Sequence, residues 1–447
     1  MAMVPREFRF NPSPSSASAR SPQETHALTA TVLRSRESGK RRLRRCNLSN
    51  LPAIEGGVPV RAPRRFLVFG APAIGKEEIA AVVAVLRSRW IGTGPRVAQF
   101  ERNFAAYKGA PHAIAVGSCT AALHLSLLAL NLSSGDEVIT SSMTFCSTVN
   151  AILHAGAKPV LADCDRWTMN LTAENIARRL TPRSRAIIVV HMCGRPCPMR
   201  EILELAREAG LKVIEDCAHA IEATSDGVAA GLLGDFGCFS FYATKNLTTA
   251  EGGMILTAKE DAANRLRRLA LHGLSADAYR RFSNSGYRHY VMTEPGFKYN
   301  MTDLQAAIGL EQLNKIEAHW RRREQIWQDY MSSFRDLPCF LPPPVSPGTR
   351  HAYHLFTTLL DLEQLRVSRD HILAALTAEN IGVGVHYLPV HSHPYYKEIW
   401  GSQRGSFPDS EFIGDRTLSL PLAGDLDREA AADVVKAFRR VVNYYRR

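Results

Sequence analysis

Between residues 112 and 216 the sequence repeats one pattern, a short apolar run followed by a stretch of helical periodicity. The apolar runs have the length and composition of buried strands, and they are HAIAV (112–116), EVIT (137–140), KPVLAD (158–163), AIIVV (186–190) and LKVIED (211–216). Helical segments such as TAALHLSLLAL (120–130) and MREILELAREAG (199–210) separate them. Apolar strands alternating with helices are typical of a mostly parallel sheet covered on both faces. The pattern therefore predicts an α/β fold.

The rest of the chain predicts a division into domains. Two further predicted strands, GCFSFY (237–242) and GMILTA (253–258), extend the sheet, and a long helix is predicted to begin after its N-cap, Thr302. The proline-rich segment 337–348 interrupts the helical pattern and is the best candidate for a linker. We expect a large α/β domain over residues 66–336 and a small α+β domain over residues 349–447.

The N-terminal residues differ from the rest of the chain, because they are rich in Pro, Ser and Arg and show no hydrophobic period. Residues 1–50 hold ten Lys and Arg against three Glu, which accounts for +7 of the formal net charge of +12. We predict that residues 1–60 form a disordered basic leader. The remaining +5 is compatible with a phosphorylated or nucleotide substrate, but it is not the charge pattern of a nucleic-acid-binding protein.

Cysteine content and hydropathy predict the compartment. Nine cysteines, an odd number scattered over 447 residues, do not form the pattern of a disulfide framework. No stretch approaches the run of about 18 apolar residues that a membrane-spanning helix needs. We therefore expect a cytoplasmic protein with no membrane span.

Ligands of open α/β sheets bind at the carboxyl ends of the strands, so the residues that follow each predicted strand are candidates for a site. LKVIED ends in Asp216, and a carboxylate at the end of a buried strand needs a partner, either a cationic ring nitrogen or a structural ion pair. Lys245 follows 29 residues later, where the predicted strand of FSFYATKNLTTAEGG (239–253) ends. Taken alone, such a lysine is more often a side chain that extends to solvent.

Three other strand ends carry groups suited to a phosphate or a flat ring. Gly117-Ser118-Cys119-Thr120 follows HAIAV and begins a helix, where free N–H groups can bind phosphate; simple N-capping by Ser118 is the alternative. Ser240 is a further possible phosphate donor. Phe145, in TFCSTVN (144–150), is either a stacking surface or a core residue. With Lys245 and Asp216 these groups match the chemistry of pyridoxal 5′-phosphate (PLP), which needs a Schiff-base lysine and an acid that keeps the pyridine nitrogen protonated.

Further motifs occur in a fixed order between Phe66 and the C terminus. They are GKEEIAAVVAVLRSRWIGTGPRVAQFE, GSCTAALHLSLLAL, GDEVITSSMTFCSTVNAI, VIEDCAHA, GDFGCFSFYATKNLTTAEGG, HG (272–273), PGFKYNMTDLQAAIGLEQL and VGVHYLPVHSHPYY. Through these motifs the chain resembles the DegT/DnrJ/EryC1/StrS family of PLP-dependent sugar aminotransferases. The resemblance implies the aspartate-aminotransferase type of PLP-dependent transferase (fold type I), with a homodimer whose active sites are shared between subunits.

The resemblance also implies a role for each site residue. Lys245 would form the Schiff base and Asp216 would pair with the pyridinium. The other cofactor contacts would come from His219 at the phenolic oxygen, Phe145 stacked on the ring, and Ser240, Thr120 and the Cys119 backbone at the phosphate. Lys298 or Asn300 would reach the partner subunit's phosphate. His386 and Tyr387 of the small domain would approach the sugar nucleotide.

Two positions depart from the family's pattern. The family usually has glycine where Cys119 stands, so the phosphate-binding turn must accommodate a side chain. Many members have asparagine where Lys298 stands, so a lysine would have to serve as the phosphate donor.

The implied reaction is transamination of a nucleotide-linked keto sugar, with a 4-keto-6-deoxy sugar as the expected substrate and glutamate as the expected amino donor. The carbon that is aminated and the nucleotide are left open by the sequence. One alternative is a sugar dehydratase of the same family, but such members carry histidine in place of the Schiff-base lysine, and Lys245 argues against that branch.

Two alternatives come from other classes of protein. GAPAIGKEE (70–78) has the spacing of a P-loop over residues 70–77, but Glu77 stands where a Ser or Thr must bind the metal, so we interpret Gly70 to Lys76 as the lead-in to a helix. Two clusters of His and Cys could suggest zinc: His191, Cys193, Cys197, Cys217 and His219, and then His386, His391 and His393. CGRPC has three intervening residues and no second pair, so we predict no metal site.

Overall fold

A seven-stranded sheet lies at the centre of the part of the chain that the structure describes. The structure is a computed structural model, and it describes residues 51–275 and 289–447. The strands of the chain up to residue 257 are β1 (His112–Val116), β2 (Glu137–Ser141), β3 (Lys158–Ala162), β4 (Ser184–Val190), β5 (Lys212–Asp216), β6 (Thr224–Ser225), β7 (Val228–Ala229), β8 (Phe236–Ser240) and β9 (Gly253–Thr257). All of them except β6 and β7 belong to the seven-stranded sheet. Strands β6 and β7 form a separate antiparallel pair.

The order across the large sheet is β1–β9–β8–β5–β4–β2–β3. The β2–β3, β2–β4, β4–β5 and β5–β8 pairs are parallel, whereas β9 runs antiparallel to both of its neighbours. This topology confirms the mostly parallel sheet that the alternating pattern predicts. The carboxyl ends of β2, β4, β5 and β8 consequently meet at one edge.

Helices cover both faces of this sheet. The helices of the described residues are α1 (Lys76–Ser88), α2 (Pro95–Lys108), α3 (Cys119–Ala129), α4 (Cys146–His154), α5 (Ala173–Ala177), α6 (Met199–Glu208), α7 (Glu260–Ala270), α8 (Asp303–Ser333), α9 (Arg369–Ala378), α10 (Pro394–Trp400), α11 (Pro408–Arg416) and α12 (Arg428–Tyr445). Alternate residues of β1 show the two layers: Ile114 packs in a core cluster with α3, and Ala113 packs in another with Phe100 of α2.

The long helix α8 begins where the sequence predicts. The Thr302 hydroxyl accepts a hydrogen bond from the Gln305 N–H, and the Gln305 side chain accepts one from the Thr302 N–H, which completes a capping box. The first turns of α8 pack against α1 and α2, and later residues such as Trp327 and Tyr330 enter the C-terminal core. One helix therefore spans both cores.

The C-terminal residues form a second, smaller sheet in the order β10–β11–β12. Its antiparallel strands are β10 (Cys339–Phe340), β11 (Phe356–Leu360) and β12 (Thr417–Leu420). Helices α9 and α12 share a core cluster with β11 and β12. Part of the proline-rich segment 337–348 is thus a strand of this sheet rather than a free linker, because Cys339 pairs with Leu360. The division into domains at residues 336 and 349 stays a prediction.

The predicted leader extends too far at its C-terminal end. Ala53–Glu55 forms a 3-10 helix, and the N–H groups of Ala53 and Val60 donate to the buried Glu379 carboxylate at 2.9 and 2.7 Å. A guanidinium nitrogen of Arg440 lies 3.0 Å from that carboxylate and neutralises its charge. Residues 51–60 are thus bound to an ion pair of the C-terminal core. Residues 1–50 of the leader lie outside the described residues.

The P-loop-like segment is a helix start, as predicted. Gly75 is the N-cap of α1, and its N–H donates to the Glu78 carboxylate at 2.8 Å. Lys315 of α8 also binds both oxygens of Glu78, at 2.8 and 2.9 Å. The carboxylates at residues 77 and 78 would repel a phosphate here. In the described part of the chain, no helix combines the length and the apolar character that crossing a bilayer requires.

Candidate active site

A cavity of about 430 Å³ lies at the carboxyl ends of the parallel strands. It brings together eight of the eleven residues that the sequence predicts for the site: Cys119, Thr120, Phe145, Asp216, His219, Ser240, Lys245 and Tyr387. The further lining residues are Ser118, Thr144, Ser147, Val190, Ala218, Tyr242, Glu251 and Gly252. These groups, distant in sequence, meet because every parallel strand of the sheet ends on this edge.

Lys245 lies in the loop that follows β8, and its N–H closes a turn on the Tyr242 carbonyl at 2.9 Å. The side chain is half-buried because it faces the cavity. Burial lowers the pKa of its amine to about 8, although the Asp216 carboxylate acts in the opposite direction. About one-tenth of this amine is consequently neutral, and so nucleophilic, at pH 7.

Asp216 is the last residue of β5 and is 4% exposed. Its Oδ1 accepts from the Ala218 N–H at 3.1 Å, and its Oδ2 accepts from the Thr148 hydroxyl at 2.9 Å. Burial raises the pKa of this carboxyl, and the two hydrogen bonds offset only part of that effect. A cationic group in the cavity would supply the missing stabilisation.

The start of α3 forms one wall of the cavity. The Ser118 hydroxyl caps the Ala121 N–H, and the Ala122 N–H bonds to the Ser118 carbonyl, so the N–H groups of Cys119 and Thr120 have no intrahelical acceptor. Gly253 of β9 lies against this turn, where a Cβ would come within 2.5 Å of the Ser118 carbonyl carbon. The cap uses the Ser118 hydroxyl and the Ala121 N–H, whereas a phosphate would use the N–H groups of Cys119 and Thr120. The capping role of Ser118 and a phosphate site are therefore compatible.

Cys119 shows how the turn accommodates a side chain. Its thiol lies 3.9 Å from Asp216 Oδ1, directed to the carboxylate rather than out of the turn. Burial raises the pKa of this thiol well above its usual value, so it stays protonated and donates to Asp216.

His219, Tyr387 and Phe145 lie together on another side of the cavity. His219 Nδ1 accepts from the Cys193 N–H at 3.3 Å, so the ring proton is on Nε2, which lies 3.1 Å from the Tyr387 hydroxyl. Burial lowers the pKa of His219 well below its usual value, which keeps the ring neutral. Phe145 is 55% exposed and packs against Tyr387 at a centroid distance of 5.6 Å, so its ring is a surface of the cavity and not a core residue.

The remaining three predicted residues do not line this cavity. Lys298 donates to Asn300 at 2.6 Å, and Asn300 donates to Thr93 at 2.6 Å, beside a neighbouring cavity of about 410 Å³. The His386 ring bonds through Nδ1 to the Ser419 hydroxyl at 2.9 Å. Burial, and to a smaller extent the charge of Lys245, lowers the pKa of His386 to about 3.

Thr148 contacts the Asp216 carboxylate directly, yet it was not predicted from the sequence. Thr144 was also missed, although its hydroxyl lies 2.9 Å from that of Thr148 and it lines the cavity. The two residues are four apart in TFCSTVN, a spacing that brings side chains together at the start of a helix. This spacing is the feature of the sequence from which the contact between Thr144 and Thr148 could have been predicted.

Part of the first His and Cys cluster also comes together. Ligand atoms of His191, Glu215 and Cys217 lie within 4.8 Å of one another in the described residues. Both oxygens of Glu215 already accept hydrogen bonds, from His191 Nε2 and from three backbone N–H groups. These contacts make the cluster a hydrogen-bonded structural network.

The cavity fits PLP by the chemistry of its groups. Lys245 supplies a buried amine of lowered pKa, and Asp216 supplies a carboxylate that needs a cation. The first turn of α3 offers unpaired N–H groups to a phosphate, and the Phe145 ring offers a flat apolar face. The aldehyde, the ring nitrogen, the phosphate and the ring face of PLP would each find a suitable partner among these residues.

Comparison with known proteins agrees with this assignment. Residues 72–439 match the DegT/DnrJ/EryC1/StrS aminotransferase family. The spore coat polysaccharide biosynthesis protein SpsC of Bacillus subtilis is 45% identical over 384 residues, covering 86% of this chain and 99% of SpsC.

Solved structures show the same fold. The aminotransferase TlmJ from Streptoalloteichus hindustanus superimposes with a TM-score of 0.77 at 33% identity, over 85% of this chain and 99% of TlmJ. Spr1654 from Streptococcus pneumoniae, in its PLP form, superimposes with a TM-score of 0.79 at 28% identity, over 85% and 99% of the two chains. Both likenesses confirm fold type I. The chain belongs to the DegT/DnrJ/EryC1/StrS aminotransferase family and is a PLP-dependent aminotransferase.

Proposed function

We propose that the protein transfers the amino group of glutamate to a nucleotide-linked keto sugar, with a 4-keto-6-deoxy sugar as substrate. The observation that carries the proposal is the pairing of Lys245, whose pKa is lowered to about 8, with the incompletely compensated Asp216 carboxylate in one cavity. An amine that is partly neutral suits the aldehyde of PLP, and a carboxylate that lacks a cationic partner suits the protonated ring nitrogen of the same cofactor.

PLP, when bound, supplies an electron sink for the charge that develops at the α-carbon of the amino donor. The ionised Asp216 carboxylate would accept a hydrogen bond from the protonated ring nitrogen and so keep it protonated. The neutral Lys245 Nζ accepts the proton of the donor's α-carbon and gives a proton back as the nitrogen is transferred. The Cys119 and Thr120 N–H groups would bind the phosphate, and the Phe145 ring would offer a face to the cofactor ring.

The sugar part of the proposal rests on the outer part of the cavity and on the relatives of the chain. Tyr242 is 47% exposed there, and with Tyr387 it offers aromatic faces on which the C–H face of a sugar ring can pack. The name of SpsC refers to polysaccharide biosynthesis, which is consistent with a sugar substrate. The 4-keto position rests on the resemblance of KYN (298–300) and HYLPVHSHPYY (386–396) to members that act on such sugars.

The assignment of Lys298 or Asn300 to the phosphate of a partner subunit is part of the same proposal. Lys298 is exposed, and Asn300 lies beside a second cavity rather than beside Lys245, which is consistent with a contact across a homodimer. The contact of His386 with the sugar nucleotide and a cytoplasmic location of the enzyme belong to this proposal as well.

The first test is the visible absorption spectrum of the purified protein with PLP. We expect a visible absorption band for the lysine-bound cofactor, and bleaching of that band by glutamate. Lys245→Ala should lack the band. Lys108→Met is the matched control, because burial also lowers the pKa of Lys108 to about 8 but its amine donates to the Ile221 carbonyl outside the cavity. Lys108→Met should keep the band, and a wild type without any band contradicts the proposal.

The substrate is tested by steady-state kinetics. A panel of nucleotide-linked keto sugars is assayed with glutamate, and parallel double-reciprocal lines are expected because the donor product leaves before the sugar binds. Glutamate bleaching with no turnover of any keto sugar would contradict the sugar part of the proposal while leaving the aminotransferase assignment in place. Intersecting lines would contradict the order in which the donor product leaves before the sugar binds.

A further inference from the structure

The Asp216 carboxylate is held by donors from three different elements. The Ala218 N–H follows the same strand, the Thr148 hydroxyl comes from α4, and the Cys119 thiol comes from α3. Thr148 makes the shortest of these contacts, 2.9 Å to Oδ2, and its side chain is fully buried. Of the three donors, Thr148 alone contacts Oδ2.

The direction of the hydrogen bonds follows from the number of protons. The pKa of a threonine hydroxyl is far above neutrality, so the Thr148 hydroxyl keeps its single proton and donates it to the carboxylate. The Thr144 hydroxyl, 2.9 Å away, must then donate to the Thr148 oxygen. The hydroxyls of Thr144 and Thr148 form a chain of donors directed toward the Asp216 carboxylate, and Thr144, its first member, lines the cavity.

We propose that Thr148 is a positioning residue that orients the Asp216 carboxylate and holds it in its ionised form for the ring nitrogen of PLP. Thr148 does not line the cavity and so acts only through Asp216. Because the proposal rests on PLP binding at this cavity, it is tested by the strength of that binding and not by turnover alone.

The geometry gives Thr148 a role that burial of its methyl group cannot explain. Valine has nearly the same shape as threonine, so a position that needs only packing would accept it at small cost. Removal of a hydroxyl that donates to a buried carboxylate, by contrast, leaves one carboxylate oxygen, here Asp216 Oδ2, without its donor. A packing role and a positioning role therefore predict different results for one isosteric substitution.

The test compares Thr148→Val with Thr140→Val. Thr140 of β2 is also fully buried, and its hydroxyl donates to the Ile188 carbonyl at 2.9 Å, away from the cavity. Absorbance titration of the apoprotein with PLP gives the dissociation constant. We expect Thr148→Val to weaken PLP binding by about 10- to 100-fold, the range for a hydrogen bond to a charged group, and Thr140→Val to leave it unchanged. Thr148→Ser restores the hydroxyl and should return the affinity to near that of wild type.

A pH profile of PLP binding gives a second readout. Removal of the Thr148 donor raises the pKa of Asp216 further, so the acid limb of the profile should move to higher pH in Thr148→Val. The titratable groups that surround Asp216 are Lys245, His191, Cys119, Cys217, Cys238 and Tyr387. They are the same in both variants, so a shift seen in Thr148→Val and absent from Thr140→Val is due to the lost donor.

The outcomes separate the two proposals. If wild type binds PLP through Lys245 and Thr148→Val binds it with unchanged affinity and an unchanged acid limb, the positioning role is wrong. The positioning role is also wrong if Thr148→Ser binds PLP as weakly as Thr148→Val. If wild type itself forms no lysine-bound PLP, the proposed function fails first. Thr148→Ala, which adds no bulk, replaces the valine variant if that variant does not fold.

Discussion

Glu215 and Asp216 are neighbours on β5, and both carboxylates are buried, yet they have opposite electrostatic surroundings. Glu215 accepts four hydrogen bonds, from His191 and from the N–H groups of Gly231, Leu233 and Gly234. Burial alone would raise the pKa of Glu215, but these donors bring it below its usual value. Asp216 has fewer and longer contacts, and burial keeps its pKa raised.

The tautomer of His191 explains why the Glu215 network is complete. The Cys197 N–H donates to His191 Nδ1 at 3.1 Å, so the ring proton lies on Nε2 and donates to Glu215 at 3.0 Å. Successive residues of a strand point to opposite faces of the sheet, so one carboxylate is enclosed by the loop at residues 231–234 and the other faces the cavity. Unmet hydrogen-bonding capacity, rather than burial, thus distinguishes Asp216, which we propose binds the cofactor, from the structural carboxylate of Glu215.

The largest effect is expected for Asp216→Asn. Loss of the charge partner of a buried cation should weaken PLP binding roughly 10²- to 10³-fold, which absorbance titration measures. An asparagine variant that binds PLP as tightly as wild type would show that the carboxylate does not face the cofactor, and would remove the distinction drawn between the two residues.

The stability of the apoprotein should change in opposite directions for the two residues. A carboxyl of raised pKa destabilises the fold at pH 7 and ceases to do so as pH falls below its ordinary pKa, so Asp216→Asn should stabilise the apoprotein. Glu215 has a lowered pKa and stabilises the fold above its ordinary pKa, an effect that is lost as pH falls through the lowered value. Glu215→Gln should therefore destabilise the fold by about 2–4 kcal/mol, because one amide NH₂ would face N–H donors.

Chemical denaturation of the two apoprotein variants at pH 7 measures both changes. PLP affinity of the folded fraction of Glu215→Gln should stay within about threefold of wild type, since the residue points away from the cavity. A destabilised Asp216→Asn, or a Glu215→Gln variant of wild-type stability, would contradict the comparison.

The pH dependence of PLP capture should report the Lys245 amine. Since burial lowers its pKa to about 8, the neutral fraction is about one-tenth at pH 7 and rises roughly tenfold by pH 9. The rate of appearance of the lysine-bound absorbance band should rise with pH and level off above about pH 9. A rate that still climbs steeply at pH 10, as an ordinary lysine would give, would contradict a buried amine.

The smallest effect is expected for Tyr387→Phe. The phenol accepts the His219 Nε2 proton at 3.1 Å, and its removal costs one neutral hydrogen bond, so PLP affinity should fall about three- to tenfold. His219→Asn probes the same contact from its other end. A loss as large as that of Asp216→Asn would place Tyr387 in direct contact with the cofactor.

Much of the fold could be predicted because its signals are local. The predicted strands HAIAV (112–116) and LKVIED (211–216) correspond to β1 and β5, with the second beginning one residue later than expected. The N-cap at Thr302 follows from one hydroxyl and one glutamine three residues apart. The end of the leader could not be predicted in this way, because the contacts of residues 51–60 with Glu379 cross more than 300 residues of sequence.

The sequence by itself determined the class of fold and the chemical types of the site: a lysine and an aspartate at strand ends, and small residues at a helix start. Only the tertiary structure decided which polar groups satisfy one another. Glu215 and Asp216 look alike in sequence, and Thr148 looks like an ordinary helix residue. Their roles depend on hydrogen bonds with elements 16 to 97 residues away, and local pattern carries no information about such contacts.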